Sequence, residues 1–210
     1  LGVRSLEAVI LTHDHPDHRE GLLYVLEHFP VGAFWSARAP EELDPHLAEI
    51  LRRRAIPTRR FTPGWTFLPA ADDETFALHG PPEDAIDNDS SLVVYARLGA
   101  DGVLLTGDLN RAGVEDILAK PLPGPVGLLK LPHHGSRHSE PTRLMDQLRP
   151  RIALVSAGAG NPLNLPHPTV VAALDERAIE LRRTDRDGTC RCRSAENGWR
   201  AEVWRQGLFR

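Results

Sequence analysis

Short apolar runs alternate with amphipathic segments along this chain of 210 residues. Runs of branched apolar residues predict buried strands, and apolar residues three or four positions apart predict helices. The strands predicted in this way are Ala8–Thr12, Val31–Trp35, Ser91–Leu98, Val103–Thr106, Val126–Leu131 and Ile152–Ser156. The predicted helices are Glu20–Phe29, Glu41–Ala55, Ala112–Ala119, Glu140–Leu148 and Thr169–Leu181. Strands that alternate with helices in this way predict a layered α/β fold.

The remaining segments give weaker signals. Arg59–Leu68 predicts one or two strands, and Gly99–Gly102 predicts a hairpin turn. Two loops and two closing strands complete the prediction: Ala70–Glu74, Gly80–Asp89, Leu181–Arg193 and Trp199–Trp204. Because the chain shows neither an internal repeat nor a low-complexity linker, we expect a single domain over residues 1–210, cut from a longer polypeptide.

Composition narrows the class of protein. Hydrophobic residues make up 41% and charged residues 26%, which is typical of a folded globular domain rather than a disordered one. The apolar runs are too short to span a membrane. Cys190 and Cys192 are separated by one residue, which excludes a disulfide framework. The net charge of −4 excludes a globally basic nucleic-acid binder but leaves room for a local basic face.

The strongest chemical signal is the hexapeptide His13-Asp14-His15-Pro16-Asp17-His18, which follows a predicted strand. Histidine is the commonest metal ligand, and this chain has ten histidines. In one loop, His13 and His15 can converge on one ion while Asp17 and His18 face a second. A polar loop with incidental histidines is the alternative, and the spacing favours the metal site.

Further polar residues follow the later strands. Asp108 ends the segment Leu104–Asp108, where its carboxylate can bridge two cations. His133 and His134 follow the next strand and can supply a ligand and a general acid. His167 lies just before a predicted helix. It is a candidate metal ligand, and the alternative is a residue that starts the helix. Three further polar residues are candidates for contact with substrate, with capping as the alternative role: Asn88, Ser91 and Ser136.

Arginine clusters offer a track for phosphate groups. One cluster contains Arg52 and Arg53, and another contains Arg182, Arg183 and Arg186. The planar guanidinium group suits phosphate oxygens. The alternative is a solvated surface, because nearly all the basic residues of this chain are arginine.

The order of these motifs resembles the metallo-β-lactamase superfamily. More specifically, it is similar to the C-terminal metallo-β-lactamase-like domain of ComEC-type DNA-uptake proteins. That similarity depends on the hexapeptide and on four later segments, which follow it in order: Asn88–Val94, Leu104–Asp108, Leu129–Ser136 and Thr184–Gly188.

The resemblance implies an αββα sandwich with two divalent metal ions, Mn²⁺ or Zn²⁺, at one edge. It implies that His13 and His15 hold the first ion and that Asp17 and His18 hold the second. Asp108 would bridge the two ions. The ligand set would be completed by one or more of three histidines: His133, His134 and His167.

The function implied is degradation of the DNA strand that is not imported during natural transformation. Hydroxide would attack the phosphodiester, with Asp17, His133 and His134 as catalytic candidates. The partners implied are DNA and the remainder of a membrane uptake channel, of which this chain would be a soluble domain. Two alternatives remain open. One is a hydrolase of a lactone, thioester or β-lactam, and the other is a catalytically silent DNA-binding module.

Three departures from the family pattern affect these expectations. The opening strands of the superfamily have no counterpart before Leu1, so we expect one side of the sandwich core to be uncovered. Asn88 or Asp89 stands where a third histidine is usual, which shifts the ligands toward oxygen donors and favours Mn²⁺. Asn164-Leu165-Pro166 stands where many relatives have Gly-His-Pro, and His167 is the candidate replacement.

Overall fold

The computed structural model describes residues 2–70, 74–195, 198–205 and 208–209. Two sheets lie between two layers of helices. The helices are α1 (Pro16–His28), α2 (Pro45–Arg53), α3 (Arg111–Leu118), α4 (Pro141–Leu148), α5 (Pro168–Glu176) and α6 (Thr184–Asp187).

The smaller sheet contains three parallel strands, β1 (Val9–Ile10), β2 (Phe34–Ser36) and β3 (Thr58–Arg60). Helices α1 and α2 connect these strands, as parallel pairing requires. Their apolar faces pack on the sheet through side chains that include Leu11, Leu26, Phe34, Leu47 and Ile50. Local signals start both helices, since α1 has Pro16 in its first turn and Asp44 accepts hydrogen bonds from the first turn of α2.

The larger sheet contains seven strands in the order β10-β9-β8-β7-β6-β5-β4. Neighbours among β4 to β7 are antiparallel, and β7 to β10 are parallel. The strands are β4 (Gly64–Leu68), β5 (Glu74–Gly80), β6 (Val93–Leu98), β7 (Gly102–Leu105), β8 (Val126–Lys130), β9 (Ile152–Val155) and β10 (Glu180–Arg183). The carboxyl ends of β7 and β8 therefore lie side by side.

The core lies on both faces of the larger sheet. Leu78, Leu92 and Val94 pack against the smaller sheet through Ile10 and Trp35. On the other face, buried side chains of the sheet pack against α3, α4 and α5, among them Leu104, Leu129, Ala153, Ile117, Leu144 and Leu174. This order of layers confirms the predicted αββα sandwich.

A C-terminal hairpin packs on the larger sheet, on the same face as the smaller sheet and next to it. Its strands are β11 (Cys190–Ala195) and β12 (Gly198–Arg205), and β13 (Leu208–Phe209) pairs with β12. Trp199 packs on Leu128 and Ile152. Val103 packs with this group while Leu105, two residues further along β7, packs under the smaller sheet. The two groups therefore share one face of the larger sheet. The hairpin covers side chains that we expected to be exposed.

Five element predictions were wrong, two of them at helix starts: α1 begins at Pro16 rather than Glu20, and α2 begins at Pro45 rather than Glu41. Strand β5 was missed, and the predicted loop over Ala70–Glu74 lies mostly outside the described residues. Helix α5 ends at Glu176 rather than Leu181, because Ala178 has a left-handed φ of 54°. The predicted strand Leu181–Arg193 is divided between β10, α6 and β11, because Thr184 starts a helical turn.

Candidate metal centre

The hexapeptide spans the end of the loop after β1 and the first turn of α1, which begins at Pro16 and contains Asp17 and His18. The ring of His13 is buried, and its centroid lies 4.2 Å from that of His18 and 4.5 Å from that of His15. The Thr12 hydroxyl lies 3.3 Å from His13 Nδ1 and 3.2 Å from His18 Nδ1. Thr12 therefore contacts the Nδ1 atoms of both His13 and His18, and their Nε2 atoms are left to bind another group.

Asp108 enters the site from the loop after β7. Its carboxylate is buried, and its backbone N–H donates to Ser91 Oγ over 3.1 Å. The preceding residue, Gly107, has a φ of 53°, and a Cβ there would lie 2.7 Å from Ser91 Oγ and 3.2 Å from Thr12 Cβ. Only glycine allows the backbone to pass this close to both loops.

The adjacent histidines after β8 reach different partners. His133 and His134 both have left-handed backbone, with φ of 46° and 54°, a conformation unfavourable for histidine outside a constrained site. His134 Nδ1 donates to the Ser156 carbonyl over 2.7 Å. This bond directs Nε2 to the carboxylates, 3.0 Å from Asp108 Oδ2 and 3.2 Å from Asp17 Oδ2.

His133 is held away from the carboxylates by two asparagines. Its Nδ1 donates to Asn110 Oδ1 over 2.9 Å, and the Asn88 amide lies 3.2 Å from the same nitrogen. Burial lowers the pKa of His133, so the ring is neutral near pH 7.

The four residues Asp17, His18, Asp108 and His134 form a cluster that can hold a metal ion. Each of them offers one ligand atom, and these atoms all lie within 4.8 Å of one another. In addition, His13 Nε2 is buried without a hydrogen-bond partner, and His18 Nε2 lies 3.3 Å from Asp108 Oδ2 without forming a hydrogen bond. Buried polar atoms without partners are rare, and a cation would satisfy both. Imidazole and carboxylate donors suit Zn²⁺ or Mn²⁺, so the residues present fit the expected metal.

The charges around the cluster favour an ionised carboxylate. Burial opposes charge on Asp108, but contacts with His134 and His18 and the Lys130 ammonium outweigh it and hold the Asp108 pKa well below its usual range. Contact with Asp108 raises the pKa of His134. Burial and the neighbouring His18 lower the pKa of His13 to about 4. The centre therefore combines an anion with a neutral imidazole, as metal ligation requires.

Comparison with protein families agrees with this geometry. Residues 1–158 match the family model described as the metallo-beta-lactamase superfamily, which is more than half of the chain. The chain belongs to the metallo-β-lactamase superfamily. Members of the superfamily are generally metal-dependent hydrolases, which is the chemistry expected of this cluster.

Curated relatives include a competence protein, as the sequence resemblance predicted: the chain is 28% identical to "Competence protein ComA" of Neisseria gonorrhoeae, covering 99% of this chain and 28% of the relative. The chain is 30% identical over 196 residues to "ComE operon protein 3" of Bacillus subtilis, covering 91% of this chain and 25% of the relative. It is 31% identical over 193 residues to "Recombination protein 2" of Haemophilus influenzae, covering 89% of this chain and 22% of that protein. The chain thus spans about a quarter of the length of these relatives.

A solved structure supports the fold. Zn²⁺-bound PqqB from Methylobacterium extorquens aligns with a TM-score of 0.52 at 13% identity, covering 84% of this chain and 71% of PqqB. In the part of the chain that the structure describes, no helix has both the length and the hydropathy needed to cross a bilayer.

Besides His13, His15, His133 and the arginines, four predicted site residues of this metallo-β-lactamase domain lie outside the four-residue cluster. Asn88 contacts His133, and Ser91 supports the backbone of Asp108. Ser136 Oγ accepts from the His138 backbone N–H, which is a capping contact. His167 caps α5 through Thr169, and its own backbone N–H donates to the Gly135 carbonyl. His167 is therefore tied to the His134 loop without joining the cluster.

The arginine candidates lie in two different places. Arg52 and Arg53 are exposed and paired with Glu49 and Glu27. Glu27 lies near the C-terminus of α1, about 15 Å along the helix from Asp17. Arg52 and Arg53 therefore do not line the metal centre.

Arg186 lies closer to the centre. It belongs to the helical turn α6, which binds the 156–158 loop because Ala157 N–H donates to Thr184 Oγ1. Ala157 and His134 line one pocket. Arg186 itself is exposed and pairs with Asp187.

Sequence reasoning missed Lys130 and Ser156. The Lys130 ammonium donates to the Gly107 carbonyl over 2.9 Å and lies 3.5 Å from Asp108 Oδ1. A polar residue at the end of an otherwise apolar strand, two positions before Pro132, was the available signal. Ser156 acts through its backbone carbonyl, which no side-chain pattern can reveal.

Proposed function

We propose that this chain is a metal-dependent phosphodiesterase that degrades the non-imported DNA strand during natural transformation. The observation that carries the proposal is the convergence of Asp17, His18, Asp108 and His134 within 4.8 Å, beside the buried Nε2 of His13, which has no hydrogen-bond partner. The names of the relatives, which refer to competence and recombination, support DNA as the substrate.

The ligand assignment keeps the pattern that the family resemblance implies. His13 and His15 would hold one divalent ion, and Asp17 and His18 the other. Asp108, the most buried carboxylate, would lie between them, with His134 completing the set. When bound, Mn²⁺ or Zn²⁺ would supply a Lewis acid and would make water a better nucleophile.

The other roles belong to side chains at the mouth of the site. The Asp17 carboxylate is 59% exposed, so it can accept the proton of the water that attacks phosphorus. The neutral His133 ring gives its single N–H to Asn110 Oδ1, so it can protonate the leaving oxygen only after Nε2 has bound a second proton. Lys130 holds the loop that carries Asp108, and its charge supports the ionised carboxylate.

The chain would act as part of a membrane uptake protein. Its similarity to a quarter of the length of the competence relatives supports this arrangement. The rest of the channel would then deliver the DNA strand to the metal centre. Co-purification of the full-length protein with membranes, and of this domain with its channel segments, tests the assignment.

One observation favours a second candidate function. A pocket of about 340 Å³ beside Asp17 and His134 contains Leu163, which is 71% exposed, and Leu165. An apolar wall beside a metal centre suits a small substrate with an apolar group, such as a lactone or thioester.

The decisive experiment treats the metal-stripped domain with linear single-stranded and double-stranded DNA, adding Mn²⁺, Zn²⁺ or Mg²⁺ in turn. We expect metal-dependent cleavage that is lost in Asp108→Ala. Folding of the variant is checked by circular dichroism.

The other outcomes separate the alternatives. Intact DNA with hydrolysis of a lactone or thioester would replace the proposal with the second candidate. DNA binding that needs no metal and persists in His15→Ala and Asp108→Ala, without any hydrolysis, would identify a silent binding module.

A further inference from the structure

Five arginines line a groove at the edge of the larger sheet opposite the metal centre. The groove has a volume of about 790 Å³ and also contains Glu180 and Glu202. Its arginines are Arg149, Arg151, Arg177, Arg182 and Arg200. They lie around the amino ends of β9 and β10, whereas the metal ligands follow the carboxyl ends of β7 and β8. The length of β8, five residues or about 15 Å, separates the two edges.

The positive charge of the groove is only partly balanced. Arg177 pairs with Asp146, and Arg182 pairs with Glu180. Glu202 pairs with Arg191 from the hairpin.

In the part of the chain that the structure describes, Arg149, Arg151 and Arg200 form no salt bridge with a carboxylate. Three guanidinium groups without a direct carboxylate partner thus line one groove in a chain whose net charge is −4, with Asp146 near Arg149 and Asp101 near Arg151. Such a concentration of charge attracts anions locally even though the whole chain is acidic.

Contacts with neutral groups hold part of this arginine set in place. Arg151 Nη2 donates to the Trp199 carbonyl over 2.6 Å, and Arg177 Nη1 donates to the Ala173 carbonyl over 2.9 Å. Carbonyl partners fix a guanidinium without cancelling its charge, so less entropy is lost when an anion binds. The Arg182 Nε is buried without a hydrogen-bond partner, and an anion in the groove would supply one.

We infer that this groove binds the phosphate groups of a nucleic-acid strand, at a site separate from the metal centre. Guanidinium forks match phosphate oxygens in geometry and charge. An anionic membrane surface fits less well, because basic surfaces that bind lipid also present apolar side chains for insertion. Here the large apolar side chains of the lining, Ile152 and Trp199, are buried.

The test measures binding of a fluorescent thymidine single strand of about 16 nucleotides. Phosphorothioate linkages prevent cleavage, so the result does not depend on the proposed catalytic function. The variant R149E/R200E changes two groove arginines without a carboxylate partner, and R52E/R53E makes the same change of charge on α2.

We expect R149E/R200E to weaken binding at least tenfold at about 0.1 M salt and to reduce the salt dependence by about one to two counterions. We expect R52E/R53E to change affinity by less than about threefold, since its arginines are already paired. Equal weakening by both variants would overturn the inference. Binding to vesicles of phosphatidylglycerol without binding to DNA would also overturn it. Thermal unfolding of each variant checks the fold.

Discussion

Two buried histidines in this domain have the same pKa and different surroundings. Burial lowers the pKa of both His13 and His79 to about 4. His79 lies on β5, where the Lys120 ammonium donates to its Nε2 over 3.3 Å and the ring meets the edge of Trp65. His13 Nε2 has no hydrogen-bond partner and faces other imidazoles.

The carboxylates near the two histidines differ as well. Asp116, near His79, is partly exposed and is also paired with Lys120. Asp108, near His13, is buried and contacts two imidazoles and Lys130. A low histidine pKa therefore does not by itself identify a ligand site, because burial is its largest cause in both places. A buried nitrogen without a partner, beside a buried carboxylate, indicates a ligand site.

The largest effect expected from this comparison is on metal binding and DNA cleavage. Asp108→Asn removes the carboxylate that we propose bridges the ions, so we expect loss of bound metal and a fall in cleavage of about a thousandfold or more. Asp116→Asn makes the same change beside His79 and should leave both unchanged. Metal content by mass spectrometry and cleavage rates check the pair. Full metal occupancy in Asp108→Asn would contradict the ligand assignment.

The next effect is on the free energy of unfolding. It compares Gly107, beside the metal centre, with Gly80, which follows His79 at the end of β5. Gly107→Ala would place its Cβ 2.7 Å from Ser91, and Gly80→Ala would place its Cβ 2.1 Å from the Thr62 carbonyl. We expect each to lower the free energy of unfolding by about 3 kcal/mol, because neither neighbour can easily move: the Thr62 carbonyl belongs to the backbone, and Ser91 is buried and accepts from the Asp108 N–H. Only Gly107→Ala should also lower metal affinity. Urea unfolding and metal titration of both variants measure this, and equal metal affinity would contradict it.

The third effect is the dependence of stability on pH. Each of the two histidines stays neutral in the folded chain down to about pH 4, whereas the unfolded chain binds a proton below about 6.5. As the pH is lowered, the unfolded state therefore binds protons first, and the free energy of unfolding decreases across this window. Between about pH 7 and pH 5 we expect a loss of about 2 kcal/mol for each histidine in metal-free protein.

His79→Gln tests that expectation, because the substitution removes one titrating group away from the metal centre. The difference in free energy of unfolding between the two pH values should shrink by about 2 kcal/mol. An unchanged difference would show that His79 is protonated in the folded chain. Urea unfolding of metal-free protein gives both values.

The smallest effect concerns Lys120, whose charge disfavours protonation of His79. Lys120→Gln removes that charge, so the loss of stability at acid pH should shrink by no more than about 0.5 kcal/mol, because Lys120 is partly exposed to solvent. The same urea experiment measures the change. A larger loss of stability at acid pH would contradict the assigned sign.

Local sequence predicted most of the layers because strand and helix periods are properties of short segments. Strand β5 was missed because its apolar run is short, contains His79 and lies between two polar segments. The burial of His79 depends on tertiary contacts, including the one with Lys120, which follows α3. The hexapeptide and Asp108 could be predicted as candidates from their position after strands. The choice of His134 rather than His133 as the neighbour of Asp108 depends on two left-handed residues and on the Ser156 carbonyl, which are tertiary features.

The donor atoms come from both sheets, with His13 to His18 following β1 and Asp108 and His134 following β7 and β8. Ions held there would act as a removable cross-link between the two halves of the sandwich. Such a link closes a loop of about 90 residues, a length at which a covalent bridge removes several kcal/mol of unfolded-chain entropy. The metal centre would thus also stabilise the packing of the two halves, so removing the metal with a chelator would lower the free energy of unfolding as well as abolish hydrolysis.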